Sequence, residues 1–149
     1  MTQTTDDSDT PSPEIAACGT VCREGLTVYF DGSCALCSTE IRYYSARAGE
    51  ALRFVDVADH AVTPEPDLPR EAALKRLHVR QPDGTLLSGA QAFIAIWSQV
   101  PGWRWLARLA RLPGVAWCLE RAYRAFLPVR PALSRLARAL GAKPMIRQP

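Results

Sequence analysis

Large apolar residues are scarce in the first two dozen positions, where Thr, Ser, Asp and Pro prevail until Ile15. Such a segment cannot bury enough surface to offset its chain entropy, so residues 1–24 are predicted to form a disordered tail. The pattern changes at Leu26-Thr27-Val28-Tyr29-Phe30, a β-branched and aromatic run stopped by the turn pair Asp31-Gly32, which predicts a strand. From Ser33 onward Leu36, Ile41, Tyr44 and Ala48 recur near the helical period, with Gly49 where a C-terminal cap belongs. That predicts a helix over roughly 34–48. Leu52 to Val57 alternates and reads as a second strand. Strand, helix, strand is the parallel crossover unit.

A loop containing Pro64, Pro66 and Pro69 leads to a short helix near residues 70–74. Two strands, 76–80 and 85–87, flank Gln81-Pro82-Asp83-Gly84, whose Asp-Gly pair signals a hairpin. A helix starts after Ser88-Gly89, carries Ala92, Phe93, Ile96 and Trp97 on one face, and ends at Pro101-Gly102. The remainder is helical and punctuated by Pro113-Gly114, Pro128 and Pro131. Within it Leu106, Leu109 and Leu112 oppose Arg104, Arg108 and Arg111, and Leu133, Leu136 and Leu140 oppose Arg135 and Arg138. The fold class is α/β. With 149 residues, one domain over 25–140 with a C-terminal tail at 141–149 is expected.

Charge divides the chain unevenly. Up to Gln99 there are 8 Lys/Arg against 14 Asp/Glu, a balance of −6; from Val100 onward there are 10 against Glu120 alone, a balance of +9. Any basic partner surface therefore lies at the C-terminal end. Trp97, Trp103, Trp105 and Trp117, interleaved with arginines, admit peripheral membrane contact by residues 103–140. The preferred reading has the apolar stripes covering the sheet and each other while the arginines are solvated, because a sheet needs helices on its faces. No nucleic-acid reading motif is present. The chain opens without a basic segment followed by an apolar one and has no run long enough to span a bilayer, so a cytoplasmic protein is expected.

In a reducing compartment, five cysteines suggest catalysis or metal binding more than structural disulfides. Cys34-Ala35-Leu36-Cys37 follows a strand and a turn at a helix start. Disulfide exchange needs a thiolate, although a free cysteine ionises only near a pKa of about 8.5. Free N–H groups and the helix dipole favour an anion at that helix end, so Cys34 is the candidate attacking thiolate. Cys37, one turn on and on the same face, would resolve the mixed disulfide. Neither Ala35 nor Leu36 supplies a cation, and Asp31 opposes ionisation, so a mildly reducing thiol is expected. Asp31 either bonds turn N–H groups or accepts the Cys37 proton.

The main rival is zinc held by Cys18, Cys22, Cys34 and Cys37, although eleven residues between the pairs is short for a zinc ribbon. A softer version has Cys18 or Cys22 exchanging with the Cys34–Cys37 disulfide. Cys118, beside Trp117 and Leu119, is expected in the core. His60 in a loop and His78 on a strand form no defensible metal or catalytic set.

Tyr29-Phe30-Asp31-Gly32-Ser33-Cys34-Ala35-Leu36-Cys37 resembles the signature of the DCC family of thiol-disulfide oxidoreductases. The likeness continues in Leu77 to Arg80, in Asp83 to Phe93 and in Trp97 to Pro113, covering roughly residues 26–138. It implies a thioredoxin/glutaredoxin-like fold: a central mixed sheet of about four strands, flanking helices and a helical C-terminal extension. Asp31, Cys34 and Cys37 are carried over as the functional set. No bound cofactor is expected; the redox-active pair would draw electrons from glutathione or a thioredoxin system. Its partners would be a disulfide-containing protein or a small thiol. Thioredoxins have a proline before the strand facing the cysteines, whereas Ala72 to Lys75 contains none. Glutaredoxins hold glutathione with a small-residue turn after the hairpin, where Ser88-Gly89 stands here; an ordinary helix cap is the alternative.

Overall fold

The computed structural model describes residues 25–63 and 65–145. Cys18 and Cys22, and with them the four-cysteine zinc site, lie outside the described residues. So does the predicted N-terminal tail.

Strand β1 (Leu26–Phe30) runs into helix α1 (Ala35–Ala48), which a single 3-10 turn joins to β2 (Leu52–Asp56). After a loop come α2 (Arg70–Lys75), β3 (His78–Arg80), β4 (Leu86–Ser88) and α3 (Ala90–Gln99). Three further helices complete the chain: α4 (Arg104–Ala110), α5 (Pro113–Phe126) and α6 (Arg130–Ala139). The sheet order is β2-β1-β3-β4, with β1 parallel to β2 and antiparallel to β3, and β3 antiparallel to β4. This is the thioredoxin-like arrangement: a βαβ unit and a ββα unit sharing one mixed sheet.

The strand pleat sorts β1 between two layers. Leu26, Val28 and Phe30 face Ile41 and Tyr44 of α1 and Ala92, Ala95 and Ile96 of α3, forming the main core. Val28 and Val79, paired across β1 and β3, are fully buried. Tyr29 points the other way, to Val57, Leu68 and Ala73. Two indole N–H groups join α3 and the start of α4 to α1: Trp97 donates to Tyr44 Oη and Trp103 to Tyr43 Oη, each at 3.0 Å.

The C-terminal helices depart from their expected packing. Helix α4 meets Ile94 of α3 through Ala107 and Ala110, whose small side chains permit a close approach. The wide ridge of Trp105, Leu109 and Leu112 is left pointing outward. Helix α5 turns Val115 and Leu119 inward and buries no residue fully. Cys118, about 100° around the helix from Leu119, is exposed and not in the core. Helix α6 packs instead against α1. Residues 141–145, expected as tail, return to the same place: the Met145 N–H donates to Gly32 O at 3.0 Å and to Ser38 Oγ at 3.1 Å.

Candidate active site

The turn between β1 and α1 is built around an unusually close approach. Gly32 N–H donates to Asp56 Oδ1 at 2.9 Å, and a Cβ on Gly32 would stand 1.6 Å from Asp56 Oδ2. Only glycine fits. Asp31 Oδ1 accepts from the Ser33 N–H at 3.0 Å and the Ser33 hydroxyl at 2.6 Å, which fixes the approach to the helix. Cys34 is the N-cap residue of α1, with extended backbone angles.

Cys34 Sγ accepts the Cys37 N–H at 3.4 Å and the Cys37 thiol at 2.8 Å. The sulfur thus occupies the capping position usually held by an oxygen. Its pKa is lowered to about 5, chiefly by the hydrogen bond from the Cys37 thiol. The Cys37 N–H, the Ser134 hydroxyl and the Arg130 charge add to the effect, against burial. The Cys37 thiol is pushed far up by the same bond and by burial. These opposite shifts favour a state in which Cys34 carries the charge and Cys37 the proton.

The expectation of a thiol without a nearby cation is overturned by α6. Arg130 Nη2 lies 2.5 Å from Asp31 Oδ2, with both side chains largely buried. Arg130 also donates to Leu74 O at 3.2 Å, while Arg138 donates to Ser33 O at 2.6 Å. Ser134 Oγ accepts the otherwise free Ala35 N–H at 3.1 Å and is among the groups that lower the Cys34 pKa. Helix α6 therefore supplies a cation and a hydroxyl to the thiol while covering it, leaving Cys34 only 5% exposed. Cys37, by contrast, opens into a narrow cavity of about 50 Å³ shared with Asp31, Leu36, Glu40, Tyr123 and Arg130.

Glu40 is a site residue that the sequence analysis missed. It follows Cys37 by three positions, accepts the Tyr44 hydroxyl at 2.8 Å, and has a raised pKa from burial that the Cys34 charge reinforces. The i, i+3 spacing on a helix was the available signal.

Beside Ser88-Gly89, the pair expected to meet glutathione, the first N–H of α3 is bonded within the chain. Gly89 has φ of 61°, and the Ala90 N–H beyond it donates to Glu120 Oε2 at 3.1 Å. Glu120 also pairs with Arg76 at 2.7 Å. The edge before β3 is likewise engaged, Leu77 N–H donating to Tyr123 Oη at 3.0 Å and Leu77 O accepting from Gly89 N–H at 3.1 Å. His78 is buried with Nδ1 2.9 Å from Arg76 O, and His60 is exposed in the loop after β2. Among the described residues no cluster of three His, Cys, Asp or Glu side chains could hold a metal.

A protein of Arabidopsis thaliana described as uncharacterized and chloroplastic is 24% identical over 123 residues, covering 76% of this chain and 58% of its own length. The chain thus spans under two thirds of that relative. No solved structure matches. The family model described as DCC1-like thiol-disulfide oxidoreductase matches residues 28–136, the stretch from the middle of β1 to the middle of α6, and the chain belongs to that family.

Proposed function

We propose that this chain is a dithiol–disulfide oxidoreductase in which Cys34 attacks and Cys37 resolves. The observation that carries the proposal is the 2.8 Å contact between the Cys34 and Cys37 sulfurs at the N-terminus of α1. The Cys34 thiolate attacks one sulfur of a substrate disulfide, a Cys34–substrate bond forms, and the other substrate sulfur departs as a thiolate that water protonates. Cys37 then loses its proton, attacks Cys34 Sγ and expels the second substrate sulfur. Two electrons pass to the substrate, and a Cys34–Cys37 disulfide remains.

Two carboxylates line the Cys37 cavity. Asp31 is bound to Ser33 and Arg130, a structural role, whereas Glu40 has a raised proton affinity suited to accepting the Cys37 proton during resolution. A thiolate stabilised by Arg130 and Ser134 favours the dithiol form, which makes the pair more oxidising than a thiol supported by the helix end alone. Substrates are disulfide-containing proteins or small disulfides, and glutathione or a thioredoxin system returns the electrons. Because α6 covers Cys34, a protein disulfide reaches the sulfur only after α6 lifts.

The test is to trap Cys37→Ser with a disulfide substrate. A stable mixed disulfide at Cys34 is the expected result; a folded protein with an unreactive Cys34 refutes the proposal.

A further inference from the structure

Trp105, Leu109 and Leu112 are 65%, 46% and 53% exposed. Trp105 and Leu109 recur at helical spacing on the side of α4 opposite Ala107 and Ala110, the residues that pack inward, and Leu112 follows as the extended N-cap residue of α5. Trp117, 61% exposed, stands outward on α5 opposite the inward-facing Leu119. Both helices pack on α3, so their outward faces point away from it. Monomeric proteins seldom expose so many large side chains in neighbouring positions without a use for them.

The outward-facing charges on the same helices are of one sign. Arg104, Arg108, Arg111 and Arg121 are exposed, and none forms an ion pair among the described residues. Arg121 lies over the Trp117 ring, 5.0 Å from its centroid. Glu120 is the sole acidic residue after Gln99, and it is turned inward onto Arg76 and the Ala90 N–H. The apolar ridge therefore sits among cations with no outward-facing carboxylate on either helix.

We infer that the outward faces of α4 and α5 form a docking surface for an anionic lipid bilayer. The arginines meet headgroup phosphates, the tryptophans lie at the headgroup level, and Leu109 and Leu112 reach the acyl boundary. A nucleic acid would satisfy the arginines and leave the leucines in water. A bilayer satisfies both. Among the described residues no helix is long and apolar enough to cross a membrane, so the contact is peripheral. The surface is independent of the redox proposal and stands or falls separately.

The experiment is sedimentation of the full chain with vesicles of phosphatidylcholine, with and without an equal share of phosphatidylglycerol, at low and high salt. Binding is expected to the anionic vesicles, weakened by salt, with a blue shift of tryptophan emission. Each arginine at the surface contributes about fivefold, so Arg108→Gln with Arg111→Gln should weaken binding about 25-fold. The triple variant Trp105→Ser, Leu109→Ser, Trp117→Ser should abolish it, with circular dichroism and Cys34 alkylation unchanged. Equal binding to both vesicles, binding to neither, or binding untouched by the triple variant overturns the inference. So does loss of binding only in Leu136→Ser with Leu140→Ser on α6, or a dimer that the triple variant dissolves, which would assign the face to a second copy.

Discussion

Replacing Arg130 with alanine tests whether α6 is part of the thiol site. The guanidinium is among the causes of Cys34 acidity, and it neutralises Asp31 at 2.5 Å. An opposite charge within about 4–6 Å moves a pKa by about 1–3 units. Hydrogen bonds from Cys37 outweigh Arg130 at Cys34, so its removal is worth about 1 unit, the low end of that range. Unmasking Asp31 adds up to about 1 more. The Cys34 titration should therefore move from about 5 to between about 6 and 7, a cost of about 1.4 kcal/mol per unit.

The midpoint itself must be measured, by thiolate ultraviolet absorbance across pH. Alkylation rate at one pH is a poor substitute, because a more basic thiolate is also the stronger nucleophile and the two effects oppose each other. Arg130→Lys keeps the charge and should hold most of the shift. Arg130→Ala combined with Asp31→Asn removes both charges and should recover about half of what the single variant loses. A midpoint within about 0.3 unit of the parent in a folded Arg130→Ala protein is well below the shift a nearby opposite charge produces and would show that Arg130 does not set the acidity of Cys34.

Other predictions concern the turn, the resolving step and pH. Gly32→Ala places a Cβ 1.6 Å from Asp56 Oδ2, forces that carboxylate to move, and should lower stability by about 1–3 kcal/mol in urea unfolding; a loss below about 0.5 kcal/mol, the range of neutral surface changes, would contradict the packing of the turn. Glu40→Gln should leave formation of the mixed disulfide intact but slow its resolution, visible as an accumulating Cys34 adduct; equal decay rates would remove Glu40 from the mechanism. The folded pKa of Cys34 lies below its unfolded value of 9.0, so its stabilisation is complete above pH 9 and is lost as pH falls through about 5. The reduced protein should accordingly gain stability between those limits by at most about 1.4 kcal/mol per pH unit, and Cys34→Ser should flatten the slope.

The local half of the site was legible because its causes are local. Strand, turn and helix start follow from Leu26 to Cys37 in sequence order, and the N-terminus of α1 exerts its pull on Cys34 without help from elsewhere. The hairpin and α3 follow from Asp83-Gly84 and from the periodicity after Gly89. Leucine spacing likewise located α4 and α6, but it could not say which face turned inward. On α4 the choice fell to Ala107 and Ala110, since close helix packing favours small residues where the neighbour allows it and amphipathicity does not register this.

The distant half could not be read for a different reason. Arg130 and Ser134 stand 99 residues from their partners Asp31 and Ala35, and on a basic helix an arginine that carries an ion pair is indistinguishable in composition from one that is solvated. Ser134 did leave a trace: it is a short polar residue in a helix otherwise made of Leu, Ala, Arg and Pro, on the side opposite Leu136. A helix that only shields a core has no use for a hydroxyl there. The N-terminus of α1 explains it: Ser134 Oγ accepts the Ala35 N–H and helps to hold the Cys34 pKa down. The acidity of the Cys34-Ala35-Leu36-Cys37 motif is therefore set partly by the opposite end of the chain, and variants in α6 should alter the chemistry of a cysteine nearly a hundred residues away.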